Sequence, residues 1–393
     1  VAKGQSALTK HPGLHDSFLA GMPKCDFNDY KAWIDKRHDP KRFATLNEKS
    51  GDLVKFTIGA CIDALSARPG LEEAIKDADP RTCIYIATGL GDINSQFTAA
   101  RELDKAEQKW NEFWAAPERN TKCRDHLAGV SIDEQAPTVP TTFPADSMAR
   151  FDAFNHWNAY WAPKSQVLSE YLQELVSIES TSVIGEDIES AKLNLIRSKT
   201  KAKRELSDRY GFPTPPWEGV SANLLWNIPN AAASQLSMLL GVHGVAVGSN
   251  GACASFGLVL DQAMSEIHSG KVDIAIVGAT DVTPTKELIS GFYLGRLAVM
   301  GDIPGIPFCD LRGTHIAGGA CVWILATEEI IKKYKLGHCG VEILSVGLSS
   351  DAEHIITPSK QGPKLAISRA FSHSQCKPED INLWDMHATG TPG

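Results

Sequence analysis

The sequence predicts an α/β protein interrupted by a long, mostly helical stretch, and three observations predict it. First, short apolar runs bounded by glycine read as buried strands: 83–88 (CIYIAT), 245–248 (VAVG) and 272–277 (VDIAIV). Second, helical patterns lie between them. Residues 53–65 (LVKFTIGACIDAL) have helical apolar spacing, and 253–268 closes at Gly270, a residue suited to a helix C-terminus. Alternation of this kind argues for layered strands and helices. Third, residues 103–215 differ in composition. Trp110, Phe113, Trp114, Phe151, Phe154, Trp157, Tyr160 and Trp161 recur at three- and four-residue spacings, a stripe that packs helices onto a core.

The remaining elements follow the same logic. Residues 321–325, 341–346 and 381–386 are further strand candidates, and 364–371 reads as a helix. Residues 129–147 carry three prolines and read as an irregular connector. Residues 188–210 form a basic amphipathic pattern with Lys192, Arg197, Lys199, Lys201, Lys203, Arg204 and Arg209. A solvated helix face and a dock for an acidic protein are both open for it. The turn at 89–91 lacks the third glycine of a dinucleotide fingerprint, because Asn94 stands there, so a strand-to-helix turn is the better reading.

Composition excludes several classes. With 393 residues, of which 43% are hydrophobic, a large buried core is available. The formal net charge of −8 gives no global attraction to nucleic acid. No apolar run approaches the ~18–20 residues of a membrane span. Nine cysteines, none in a C-x-x-C pair, indicate neither a zinc site nor a disulfide framework, and a reducing cytoplasm fits best.

Two segments carry chemistry. In 249–256 (SNGACASF), Cys253 lies between a strand and a helix, on a bend opened by Gly251. A helix N-terminus stabilises a thiolate, and its free N–H groups can hold a developing oxyanion. A cysteine in an apolar setting is more often inert core, so the residues alone leave both readings open. In 387–393 (HATGTPG), His387 follows a buried strand and leads a loop of small polar residues. Such a histidine can reach a substrate carbonyl or simply cap the strand.

Together these segments resemble the β-ketoacyl synthase family. The match is collinear: 53–65, 83–92, 230–240, 251–255 (GACAS), 272–279 (VDIAIVGA), 307–312 (PFCDLR), 349–358 (SSDAEHIITP) and 387–391 (HATGT). The resemblance implies the thiolase-like five-layered α/β/α/β/α fold of two duplicated halves, as one domain over 1–393 with 103–215 inserted. It implies Cys253 as the acyl acceptor, with its backbone N–H in the oxyanion hole. His387 would hydrogen-bond a malonyl thioester and favour its decarboxylation. Thr389 and Thr391 match positions that contact the phosphopantetheine arm. No metal or redox cofactor is implied, the substrates being carried on acyl carrier protein or coenzyme A. A homodimer, or a heterodimer with a related chain, is expected, in fatty acid or polyketide synthesis.

The departures from the family are specific. Its members continue past this histidine loop to a lysine and a second histidine, and begin with a strand not seen here, so the chain is expected to be incomplete at both ends. The acidic glycine turn is replaced by 317–321 (AGGAC), and Cys309 replaces an aspartate. The altered turn favours an alternative, a non-condensing, chain-length-factor-like partner subunit, whereas the retained Cys253 and His387 count against it. His315, Asp351 and His354 are expected to be structural, and the remaining cysteines, Cys309 and Cys321 included, to be packing residues.

Overall fold

The computed structural model describes residues 6–182, 188–212, 214–301, 309, 311–337, 340–354 and 357–391. The chain divides into two compact units. One joins Val1–Gln96 to Asn223–Gly393, and the other is Phe97–Ala222.

In the first unit a small antiparallel pair, β1 (Thr9–Lys10) and β2 (Leu19–Ala20), precedes a four-stranded sheet. The sheet comprises β3 (Thr82–Thr88), β4 (Ala246–Asn250), β5 (Ile274–Asp281) and β6 (Gly319–Ala326), in the order β4-β3-β5-β6. β3 runs parallel to both β4 and β5, with Thr88 opposite Asn250, and β6 closes the edge antiparallel to β5.

The central strand explains the layering. Every residue of β3 is buried, and its alternate side chains enter different cores, because successive strand residues face opposite ways. Ile84 and Ile86 join Ile274 and Ile276 under helix α1 (Asp52–Ser66) and helix α2 (Ala231–Leu240). Cys83, Tyr85 and Ala87 join Ala275 and Val277 under helix α3 (Ser255–His268). Each isoleucine so buried contributes about 1.5–3 kcal/mol of transfer free energy. The α/β class is the one the sequence predicts.

Two strand expectations fail. Residues 341–346 and 381–386 pair with no strand among the described residues. Extended backbone is a strand only when a neighbour completes its ladder. Without one, Leu383, Trp384 and Met386 remain exposed. Among the described residues the sheets are the β1–β2 pair and the four-stranded sheet. The helix expected at 364–371 is longer, Gln361–Ser374.

The second unit is helical. Its elements include Ile93–Ala115 from Phe97 onward, Thr121–Leu127, Met148–Trp161, Gln166–Glu179 and Ile188–Tyr210. Trp110, Trp114, Trp157, Trp161, Tyr171 and Leu206 form its core. Phe151 and Phe154 do not join it. They lie on the outer face of their helix and are exposed, which corrects that part of the stripe. The basic helix forms as Ile188–Tyr210, and the side chains of 188–191 lie outside the described residues. Several of its cations are paired within the unit: Lys199 with Glu179, Lys201 with Glu205, Lys203 with Glu179 and Glu218, and Arg209 with Glu174. No helix among the described residues is long and apolar enough to cross a membrane.

Candidate functional site

Parallel strands β3, β4 and β5 end on one edge of the sheet, the edge where α/β proteins place ligands. Three features meet there: Thr88, the turn following Asn250, and Asp281. The carboxylate of Asp281 accepts from Thr88 Oγ1 (3.1 Å), from the Gly89 N–H (3.0 Å) and, more weakly, from the Leu90 N–H (3.4 Å). It thereby satisfies the glycine turn that leaves β3.

Cys253 sits in a 3₁₀ turn, Ala252–Ala254, directly before α3, and is exposed. The sequence places it in the first turn of the helix itself. The helix begins two residues later because Ala252 takes a left-handed conformation, φ +50°. Gly251 permits the close approach, since a Cβ there would lie 2.2 Å from Leu258 Cδ1. The Gly251 N–H donates to Ser255 Oγ, the Ala252 N–H to Asn250 Oδ1 (3.4 Å) and the Ala254 N–H to the Gly251 carbonyl. None of these bonds uses the amide of Cys253, the donor that an oxyanion would need.

His387 is exposed and lies in irregular backbone rather than at a strand end. Its loop is held elsewhere: the Gly390 carbonyl accepts the Gly313 N–H at 2.9 Å, with Gly390 at φ +78°. The hydroxyls of Thr389 and Thr391 stand 2.9 Å apart, so one donates to the other. Cys253 and His387 belong to the same unit. No hydrogen bond or ion pair among the described residues joins them. Residues 392–393 of the histidine motif, 355–356 of the 349–358 segment, and Pro307, Phe308 and Asp310 lie outside the described residues.

The residues expected to be structural behave so. His315 Nδ1 donates to the Leu19 carbonyl at 3.3 Å, and burial pulls its imidazole below the usual range. Asp351 accepts from Ser359 Oγ at 3.0 Å, and the His354 ring accepts the Thr357 N–H. The cysteine expectation needs correction. Cys61, Cys83 and Cys123 are buried, but Cys25, Cys309 and Cys321 are exposed. Cys321 lies on the same face of edge strand β6 as Trp323, which is 44% exposed.

Sequence reasoning did not single out Ser255, Asp281 or Asp92. A carboxylate closing an apolar strand, where a glycine turn needs an acceptor, was the available signal for Asp281. Asp92 caps the helix beginning at Ile93, accepting the Ser95 N–H at 3.0 Å, while its Oδ2 is buried without a partner. Burial, and secondarily Asp52, push its carboxyl above the ordinary range. A raised folded-state value means that ionisation costs stability as pH rises from about 4 through that value. Asp92→Asn keeps the acceptor for Ser95 and removes the charge. It is therefore expected to match or exceed the parent in urea midpoint at pH 8, with the advantage shrinking towards pH 4. Equal destabilisation at both pH values would contradict this assignment.

The β-ketoacyl synthase N-terminal domain model matches residues 198–329, and the C-terminal domain model matches residues 341–393. Nodulation protein E of Rhizobium leguminosarum bv. trifolii is 28% identical over 165 residues, 42% of this chain and 40% of that protein. Nodulation protein E of Rhizobium meliloti (strain 1021) is 29% identical over 191 residues, 49% and 46% of the two chains. The 3-oxoacyl-[acyl-carrier-protein] synthase 2 of Staphylococcus aureus is 29% identical over 171 residues, 42% of each. The chain thus spans less than half the length of these relatives. Among solved structures, a ketosynthase in complex with its chain length factor from Xenorhabdus doucetiae superposes with a TM-score of 0.47 at 16% identity, over 89% of this chain and 58% of that one. The ishigamide ketosynthase/chain length factor gives a TM-score of 0.41 at 23% identity, over 49% and 47%. Over residues 198–329 and 341–393, a little under half of its length, this chain is similar to the β-ketoacyl synthase family.

Proposed function

We propose that the chain is a β-ketoacyl synthase catalysing decarboxylative Claisen condensation of an acyl thioester with a malonyl thioester. The observation that carries this reading is the placement of Cys253. It is an exposed thiol on a turn that opens a helix, at the edge where parallel strands end, inside a segment matched by the family model.

The Cys253 thiolate attacks the acyl thioester carbonyl, and the Cys253 N–H supports the oxyanion. The carrier thiol leaves, giving an acyl-enzyme. His387 hydrogen-bonds the malonyl thioester carbonyl, and the malonyl group loses carbon dioxide. The resulting carbanion attacks the acyl carbonyl, forming the new C–C bond and releasing the Cys253 thiolate. Thr389 and Thr391 contact the phosphopantetheine arm of the carrier. The proposed partners are acyl carrier protein and a second ketosynthase-type chain, identical or related, in a reducing cytoplasm and in fatty acid or polyketide synthesis.

The test supplies acyl and malonyl thioesters, on carrier protein and on coenzyme A, and measures the 3-oxoacyl product. Cys253→Ala is expected to lower turnover by at least ~10³-fold. His387→Ala is expected to lower it ~10²-fold or more. A folded parent protein that yields no condensed product with any of these pairs overturns the proposal.

A further inference from the structure

Ser255 is buried, and its hydroxyl touches two backbone groups on either side of the Gly251–Ala252 peptide, the Gly251 N–H and the Ala252 carbonyl. Its oxygen accepts the Gly251 N–H at 2.9 Å. Its single proton lies between the Ala252 carbonyl at 2.6 Å and the Thr88 carbonyl at 2.9 Å. Thr88 ends β3 and stands opposite Asn250, the last residue of β4. One hydroxyl therefore binds the start of the nucleophile turn, its middle, and the neighbouring strand of the sheet.

The residue so enclosed is strained. Ala252 holds φ +50°, a left-handed conformation that alanine avoids because its Cβ crowds the following carbonyl. Such conformations persist only where the surroundings over-determine them. Without the clamp, Ala252 can relax to a right-handed or extended conformation. Cys253, the next residue, would then swing away from the helix N-terminus that activates it.

We propose that Ser255 is a positioning residue for Cys253, acting by holding Ala252 in its left-handed conformation. It touches no substrate. The assignment rests on Cys253 being the reactive thiol of the proposed function. It goes beyond that reading because it locates the device that aims the thiol in a hydroxyl two residues downstream.

The test reads the thiol alone. Site-resolved iodoacetamide alkylation, followed by peptide mass spectrometry, compares Cys253 with exposed Cys25 and Cys321 in the same molecule. Ser255→Ala is expected to slow alkylation of Cys253 at least ~10-fold, in line with the cost of small misplacements, while leaving the two reference cysteines unchanged. Adding Ala252→Gly, which adopts positive φ without strain, is expected to restore most of the rate. Ser255→Thr, which keeps the hydroxyl, is expected to stay near the parent. A folded Ser255→Ala that alkylates at the parental rate overturns the proposal, as does one whose slow rate Ala252→Gly leaves unmoved. If Ser255→Ala alone does not fold, the double variant decides: folded with a near-parental rate supports the clamp, and unfolded overturns it. Because iodoacetamide makes no demand on thioester chemistry, a positive result in a protein that never condenses thioesters separates the clamp from the enzymatic reading.

Discussion

Replacing Trp114 with alanine is expected to cost the helical unit about 3–5 kcal/mol, the usual range for emptying a large aromatic site. Trp114 is fully buried at the centre of the second unit. Its ring packs 4.8 Å from Phe113, 5.3 Å from Trp110 and 5.5 Å from Tyr171, centroid to centroid, in edge-on or tilted arrangements. No small shift of these rings can fill the space left behind, so both the transfer and the cavity costs are incurred. The indole Nε1 is buried with no hydrogen-bond partner. Trp114→Phe therefore gives up area but also removes an unsatisfied donor, which offsets part of the loss. It is expected to cost less than half as much as the alanine variant. Urea unfolding followed by far-ultraviolet circular dichroism measures both. Equal costs for the two variants, or a loss under ~1 kcal/mol for Trp114→Ala, would contradict this account of the core.

Gly248→Ala is expected to damage the nucleophile strand directly. An added Cβ would lie 2.5 Å from Asn230 Cα and 2.9 Å from the Pro229 carbonyl oxygen. Both are backbone atoms at the start of α2, which cannot rotate away as a flexible side chain can. Overpacking of this kind typically costs ~1–3 kcal/mol and occasionally more. Because β4 runs into the Cys253 turn within three residues, its retreat displaces the thiol, and condensation is expected to fall ~10-fold or more. Gly291, within the helix Lys286–Leu294, is the control. Nothing lies within 4 Å of its would-be Cβ, and Gly291→Ala is expected to stabilise by about 0.4–1 kcal/mol. Thermal midpoints and turnover of the two variants provide the check. A neutral Gly248→Ala would show that β4 and α2 are not seated as closely as this.

The central sheet was legible in the sequence because burial on both faces writes a continuous apolar run. The run from Cys83 to Thr88 could be little else. The tryptophan pairs 110/114 and 157/161 likewise announced helices through their spacing, since residues four apart share a helix face. Other features were not legible, for identifiable reasons. Periodicity gives an extended segment but not its partner, so 341–346 and 381–386 read like 321–325 although only the last finds a ladder. Phe151 and Phe154 fall in the same three- and four-residue pattern as the buried tryptophans, and hydrophobicity alone does not say which face of a helix is covered. The antiparallel direction of β6 is a topological fact with no local signature.

At the site, the cysteine and its glycine were visible because a strand, a tight bend and a helix follow one another within ten residues. What supports them was not. Ser255 looks like an ordinary helix-start serine until its oxygen is found against Thr88 of another strand, and Asp281 like a strand-end aspartate until the turn at Gly89 is laid over it. Both act across more than 160 residues of sequence, a separation that no local pattern encodes.

The most direct measurement is the intact mass of the protein after incubation with an acyl thioester and no malonyl donor. The account predicts a single added acyl group on the parent, located to the peptide containing Cys253 and absent from Cys253→Ala. An unmodified parent, or an acyl group that persists undiminished in Cys253→Ala, would contradict it.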